Sequence, residues 1–246
     1  MCFQLDSMPP VPALAGAAIS HEDLVLEATD GNEYAAFVAL PDEPDGIGVV
    51  ILPDVRGLYR FYEELALRFA ERGHTAVAID YFGRTAGVSK RGDDFDYGQH
   101  VQRTTAAHVQ ADVGAAVDHL RELGCRSIFT VGFCFGGRHS WLAAAAGHGL
   151  AGAIGFYGRP GDVIPLVGEI RAPILALQAG ADAGIPAEEN AAFDRALAQA
   201  GVEHELVTYE GAPHSFFDRR QQQHADASAD AWDRVLAFLD RYGRGG

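Results

Sequence analysis

Positive charge is scarce in this 246-residue chain: 19 Lys and Arg stand against 34 Asp and Glu, a formal net charge of −15. A phosphate-backbone binder carries a basic stripe, so nucleic acid is excluded as a partner. Cysteine is scarce as well. Cys2, Cys125 and Cys134 are an odd count and too few for a disulfide framework. No apolar run approaches the roughly 18 residues that mark a membrane span, and residues 1–20 lack a basic stretch followed by an apolar block. The expected protein is cytoplasmic, with no membrane partner. Phosphate motifs are missing too: no Lys-Ser/Thr follows a Gly-rich turn, and no Gly-x-Gly-x-x-Gly opens the first β/α unit. No His or Cys pair has metal-ligand spacing, so neither metal nor cofactor is expected.

What the chain does contain is an alternation of short apolar runs and longer amphipathic segments, without repeats or a linker. Runs at 47–53, 75–79, 127–131, 151–157, 173–178 and 205–209 read as strands, the first ones apolar enough to be covered on both faces. Helical spacing marks 63–72, 104–123, 137–146, 186–200 and 225–241. Near the start, 24–28 and 33–40 flank Asp30-Gly31, a hairpin signal. The expectation is a tail over 1–20 and one α/β domain over 21–246. Its central sheet is mostly parallel, with helices on both faces and an N-terminal antiparallel hairpin.

The segment Gly132-Phe133-Cys134-Phe135-Gly136 lies between a predicted strand and a predicted helix. In that context a Gly-x-nucleophile-x-Gly pattern forms a strained turn that lifts the central side chain out of the sheet. The sulfur then sits at a helix N-terminus, where the macrodipole favours thiolate, and the Phe135 N–H points at a developing oxyanion. The plainer reading makes Cys134 a small buried residue on a Gly-rich turn. A nucleophile needs a base, and the base needs an orienting acid. Asp182 follows the strand ending at Gln178, and His214 follows the strand ending at Tyr209. Each is separated from the previous member by about one β/α unit, so the three converge at the C-terminal strand ends. His108, His119, His139 and His148 fall on helices and read as structural or solvated.

On these residues the chain resembles the dienelactone hydrolase (carboxymethylenebutenolidase) family of α/β-hydrolases over nearly its full length. The likeness rests on Val50 to Gly57, Ala78 to Arg84, Gly132 to Gly137, Gly180 to Asp182 and Pro213 to Phe216, and on a cysteine at the elbow. The resemblance implies an α/β-hydrolase fold, a Cys134–His214–Asp182 triad, a second oxyanion N–H from Val55 and a small ester or lactone as partner. It places Asp54 where the family has a Glu beside the resting thiol, one methylene shorter here. It matches Arg84 to one arginine of a substrate-carboxylate clamp, and puts Asp218 where the other arginine stands. An acid there repels a substrate carboxylate, and Arg56, Arg159 and Arg219 are the local candidates to compensate. Tyr157, at a strand end, and Phe95, in the 91–97 connection, are expected to line the pocket, with Tyr97 beside it.

The sequence leaves other classes open. A regulatory or ligand-binding homologue would keep the fold without the chemistry, and an activated thiol can serve as a redox sensor. Asp93, Asp94 and Asp96 could suggest a cation site, but no further ligands complete a shell. The expected assembly is a monomer or a homodimer.

Overall fold

The computed structural model describes residues 7–92, 94–218 and 223–243. Its strands are β1 (Ile19–Glu27), β2 (Glu33–Pro41), β3 (Ile47–Leu52), β4 (Thr75–Ile79), β5 (Ser127–Phe133), β6 (Gly152–Phe156), β7 (Ile174–Ala179) and β8 (His204–Tyr209). The helices are α1 (Arg60–Ala70), α2 (Gly83–Ala86), α3 (Tyr97–Arg103), α4 (Ala106–Glu122), α5 (Phe135–Ala145), α6 (Ala187–Gln199) and α7 (Ala225–Gly243), with a 3-10 turn at Ile164–Glu169.

All eight strands join one sheet in the order β1-β2-β4-β3-β5-β6-β7-β8. β1 pairs antiparallel with β2, and β2 antiparallel with β4; every other pairing is parallel. The expected α/β architecture with its N-terminal hairpin is therefore the observed one. Two differences stand out. β1 begins at Ile19, inside the stretch read as a tail, and Val11 is buried in the core while the Leu14 N–H donates to Glu71. The long connection after β4 contains α2 and α3, whose four and seven residues are too short to carry a periodic signal.

β3, β4 and β7 are buried at every position because both sheet faces are covered. On one face Leu65 and Phe69 of α1 and Val235 and Phe238 of α7 pack against Val49, Ile51 and Phe129. On the other, Val109, Val113 and Val117 of α4 cover Val50 and Val77, and Trp141 of α5 meets Phe193 of α6. α4 starts where Thr105 accepts the His108 N–H while the His108 ring accepts the Thr105 N–H, satisfying two otherwise orphaned donors.

A buried carboxylate ties the loops after β3 and β4 together. Asp80, fully buried just after β4, accepts the Leu58 and Phe82 N–H groups at 3.1 and 2.7 Å and pairs with Arg91 at 2.8 Å. Gly57 passes so close that a Cβ there would lie 2.3 Å from the Asp80 oxygen. Removing one partner of a buried pair strands the other charge, which costs about 3–5 kcal/mol. Arg91→Ala is therefore expected to lower unfolding stability by about that amount, read as a fall in the urea midpoint at unchanged slope.

Candidate active site

Three loops at the C-terminal ends of the parallel strands carry Cys134, Asp182 and His214. The turn between β5 and α5 holds Cys134 at φ 56°, ψ −111°, a conformation rare for a side-chain-bearing residue. The glycines around it make that turn possible. A Cβ on Gly132 would meet the Gly136 carbonyl at 2.0 Å, and one on Gly136 the Leu52 carbonyl at 2.1 Å. The turn is thus wedged between its own helix and the end of β3. Phe135 opens α5, so its N–H is among those a helix leaves without an intrahelical acceptor.

The loops after β7 and β8 are joined by their backbones: the Gly180 N–H donates to Tyr209 O and the Ala181 N–H to Ala212 O, both at 2.9 Å. That pairing carries Asp182 to His214, whose Nδ1 lies 2.5 Å from Asp182 Oδ2. Asp182 Oδ1 accepts the Gly184 N–H at 2.8 Å. Burial pushes the Asp182 carboxyl up. The hydrogen bonds from His214, Gly184 and Ile185, with the His214 charge, outweigh that and hold it below the usual carboxylate range. The His214 side chain is one-third exposed while the Asp182 side chain is almost covered, so the ring faces the opening and the acid stands behind it.

Cys134, His214 and Asp182 border one cavity of about 250 Å³, walled further by Val55, Phe135, Tyr157, Ile185 and Gly184, with Arg138 and Arg159 on its margin. Tyr157, at φ 37°, places its ring 4.9 Å from the His214 ring and donates its hydroxyl to Asp218 at 2.9 Å. Of the positions expected from sequence, the triad residues, Val55, Phe135 and Tyr157 are brought together.

Others are not. Arg84 does not line the cavity: its guanidinium is bound to Asp30 and Asp112, each at 2.7 Å. Arg56 is buried and turned onto Asp54 at 3.4 Å and over the Tyr59 ring. Asp54, fully buried, accepts the Arg56 N–H at 2.9 Å, and its own N–H donates to the Tyr62 hydroxyl, so it shapes the Val55 loop from behind. Phe95 packs on Phe82, His100 and Arg91 instead of lining the cavity. Asp218 is fully buried behind Tyr157, not in the cavity as its sequence position implied. Arg219, Cys2 and Asp93 lie outside the described residues. Sequence reasoning missed Arg138, although four residues past Cys134 in the first turn of α5 is the spacing that puts a side chain beside the elbow.

Cys125 is buried at the start of β5 and Cys134 follows its end. Seven strand residues span about 23 Å, which forbids a disulfide between them without unfolding. Among the described residues, no group of three or more His, Cys, Asp or Glu is placed to hold a metal ion, and no helix is long and apolar enough to cross a membrane.

Arg84 and His139 yield tests. Burial pushes the Asp112 carboxyl up to about 6, against the pull of Arg84 and Asn32. Arg84→Ala should cost about 3 kcal/mol of stability and leave kcat/KM of the folded enzyme unchanged; a selective rise in KM for a carboxylated substrate would restore Arg84 as a binding residue. His139 is buried between Phe135 and Tyr81, with its Nδ1 unpartnered among the described residues. Burial, reinforced by Arg138, pushes its imidazole down to about 3. Between the ordinary histidine value near 6.5 and that value, the unfolded chain takes up the proton and the folded chain does not. Stability therefore falls as pH drops through about 6.5, by about 2 kcal/mol between pH 7 and pH 5. Urea midpoints of His139→Leu at those two pH values should lack that share of the loss.

The chain is similar to known hydrolases. The dienelactone hydrolase family model matches residues 34–243. The carboxymethylenebutenolidase of Rhodococcus opacus is 30% identical over 259 aligned positions, covering 98% of this chain and 97% of that protein. A Klebsiella pneumoniae protein provisionally named a dienelactone hydrolase superposes with a TM-score of 0.80 at 26% identity, covering 92% of this chain and all of that one. A dienelactone hydrolase-like promiscuous phosphotriesterase from metagenomic libraries shares the fold, with a TM-score of 0.79 at 23% identity over 92% and 99% of the two chains. With its sheet, its elbow turn and a family match running from β2 to the end of α7, the chain belongs to the dienelactone hydrolase family.

Proposed function

We propose that the protein is a cysteine-dependent hydrolase of esters and lactones working through Cys134, His214 and Asp182. The observation that carries this reading is the 2.5 Å contact between His214 and Asp182 at the mouth of a cavity that Cys134 also borders. Asp182 fixes His214 with Nδ1 protonated, which leaves Nε2 as the base. His214 takes the thiol proton, and Sγ of Cys134 attacks the carbonyl carbon. The oxyanion of the tetrahedral intermediate is held by the N–H groups of Val55 and Phe135. Collapse forms a thioester and expels the alkoxide, which receives the proton from His214. Water, deprotonated by the same ring, then attacks the thioester and releases the acid and the thiol. The relative from Rhodococcus opacus, named for a butenolide-type lactone activity, supports a lactone as one substrate form.

All three side chains hang from one sheet, so residues 21–246 act as one catalytic unit. A nucleophilic thiol without a resolving cysteine among the described residues suits a reducing compartment, the cytoplasm. Asp54 serves this reaction by holding the Val55 loop.

The test is 4-nitrophenyl ester hydrolysis combined with intact-mass detection of an acyl adduct after rapid quenching. Cys134→Ala should lose both turnover and adduct. Asp182→Asn should lose kcat on the order of 10³–10⁴-fold while keeping the folded state. Equal turnover by Cys134→Ala and the parent would end the reading, and absence of turnover in both would favour a non-catalytic homologue.

A further inference from the structure

We propose that the cavity selects neutral esters with an apolar acyl group and discriminates against substrates bearing a second, anionic group. This inference rests on the hydrolase reading above. Two arginines reach the cavity margin, and each is already answered by an acid of this chain. Arg138 binds Asp162 at 2.6 Å, with its guanidinium 5.1 Å from the Phe135 ring centre. Arg159 faces Glu189 at 3.5 Å, and Glu189 is itself fixed by accepting the Gly161 N–H at 2.9 Å.

Of the other arginines that sequence pointed to as anion holders, Arg219 lies outside the described residues, Arg84 is spent on Asp30 and Asp112, and Arg56 on Asp54. An anionic substrate entering this cavity therefore meets two lining arginines whose acidic partners, Asp162 and Glu189, already stand against them from outside the lining. To engage Arg138 or Arg159, its charge must approach Asp162 or Glu189. These like charges cancel much of what the arginine offers. The net charge of −15 adds a repulsive long-range field. A neutral acyl chain meets none of this and finds Val55, Phe135, Ile185 and the Tyr157 ring.

The experiment compares 4-nitrophenyl hexanoate with the half ester mono(4-nitrophenyl) adipate, whose acyl chain has the same length and ends in a carboxylate. The expected result is a kcat/KM higher for the hexanoate by roughly tenfold or more at low salt, with the gap narrowing as ionic strength rises. Asp162→Asn, which leaves Arg138 unanswered, should raise kcat/KM for the half ester several-fold and leave the hexanoate unchanged. Equal or faster cleavage of the half ester by the parent would overturn the proposal. An unchanged half-ester rate in Asp162→Asn would overturn the role given to Asp162. Failure to cleave either ester would instead sink the hydrolase reading, on which this inference stands.

Discussion

The turn after β5 is pressed against the end of β3, and the site is organised around that close approach. Gly136 sits so near the Leu52 and Pro53 carbonyls that a methyl group there would overlap both, at 2.1 and 2.3 Å. Gly137 makes a similar approach to the Phe156 carbonyl of β6. Because three strand ends converge on one turn, the backbone of Cys134 is held in an unfavourable conformation by its surroundings, as strained functional residues require. The same compression sets Val55 on the β3 loop opposite Phe135 at the head of α5, which puts both on the cavity wall.

A second layer of control is electrostatic and lies behind the site. Asp80 joins the loops after β3 and β4, Asp54 folds the Val55 loop onto Arg56, and Asp218 anchors the Tyr157 hydroxyl. These fully buried acids are matched by N–H, hydroxyl or guanidinium donors, which is the condition for keeping such groups away from water. The chain thus uses several of its arginines and acids as braces for loops. That use explains why residues close to the site in sequence do not face the substrate.

The order of strands and helices was legible because burial on both faces writes continuous apolar runs, and the crossovers write amphipathic ones. The elbow was legible because only glycine tolerates contacts such as those of Gly132 and Gly136. Asp182 and His214 could be placed because each follows a strand at the same end of the sheet. Side-chain direction was harder to read. Arg84 and Phe95 lie in the connection between β4 and α4, where α2 and α3 turn the chain in ways no periodicity announces. Asp218 stands four residues past His214, but Ser215 at φ 64° redirects the backbone, and the carboxylate ends behind Tyr157. Arg138 was a spacing signal left unused.

The placement of the triad across the sheet has a thermodynamic consequence. Cys134 follows β5, which has a hydrogen-bonded neighbour on either side, whereas His214 follows β8, which pairs only with β7 among the described residues. Local opening is least costly at a sheet margin and dearest in its interior. The margin can therefore open while the elbow stays folded, separating Cys134 from His214 before the core is lost. On the proposed mechanism, loss of turnover on warming reports the outermost strand, and thiol accessibility reports the centre, so one reaction contains two thermometers for different depths of the same fold.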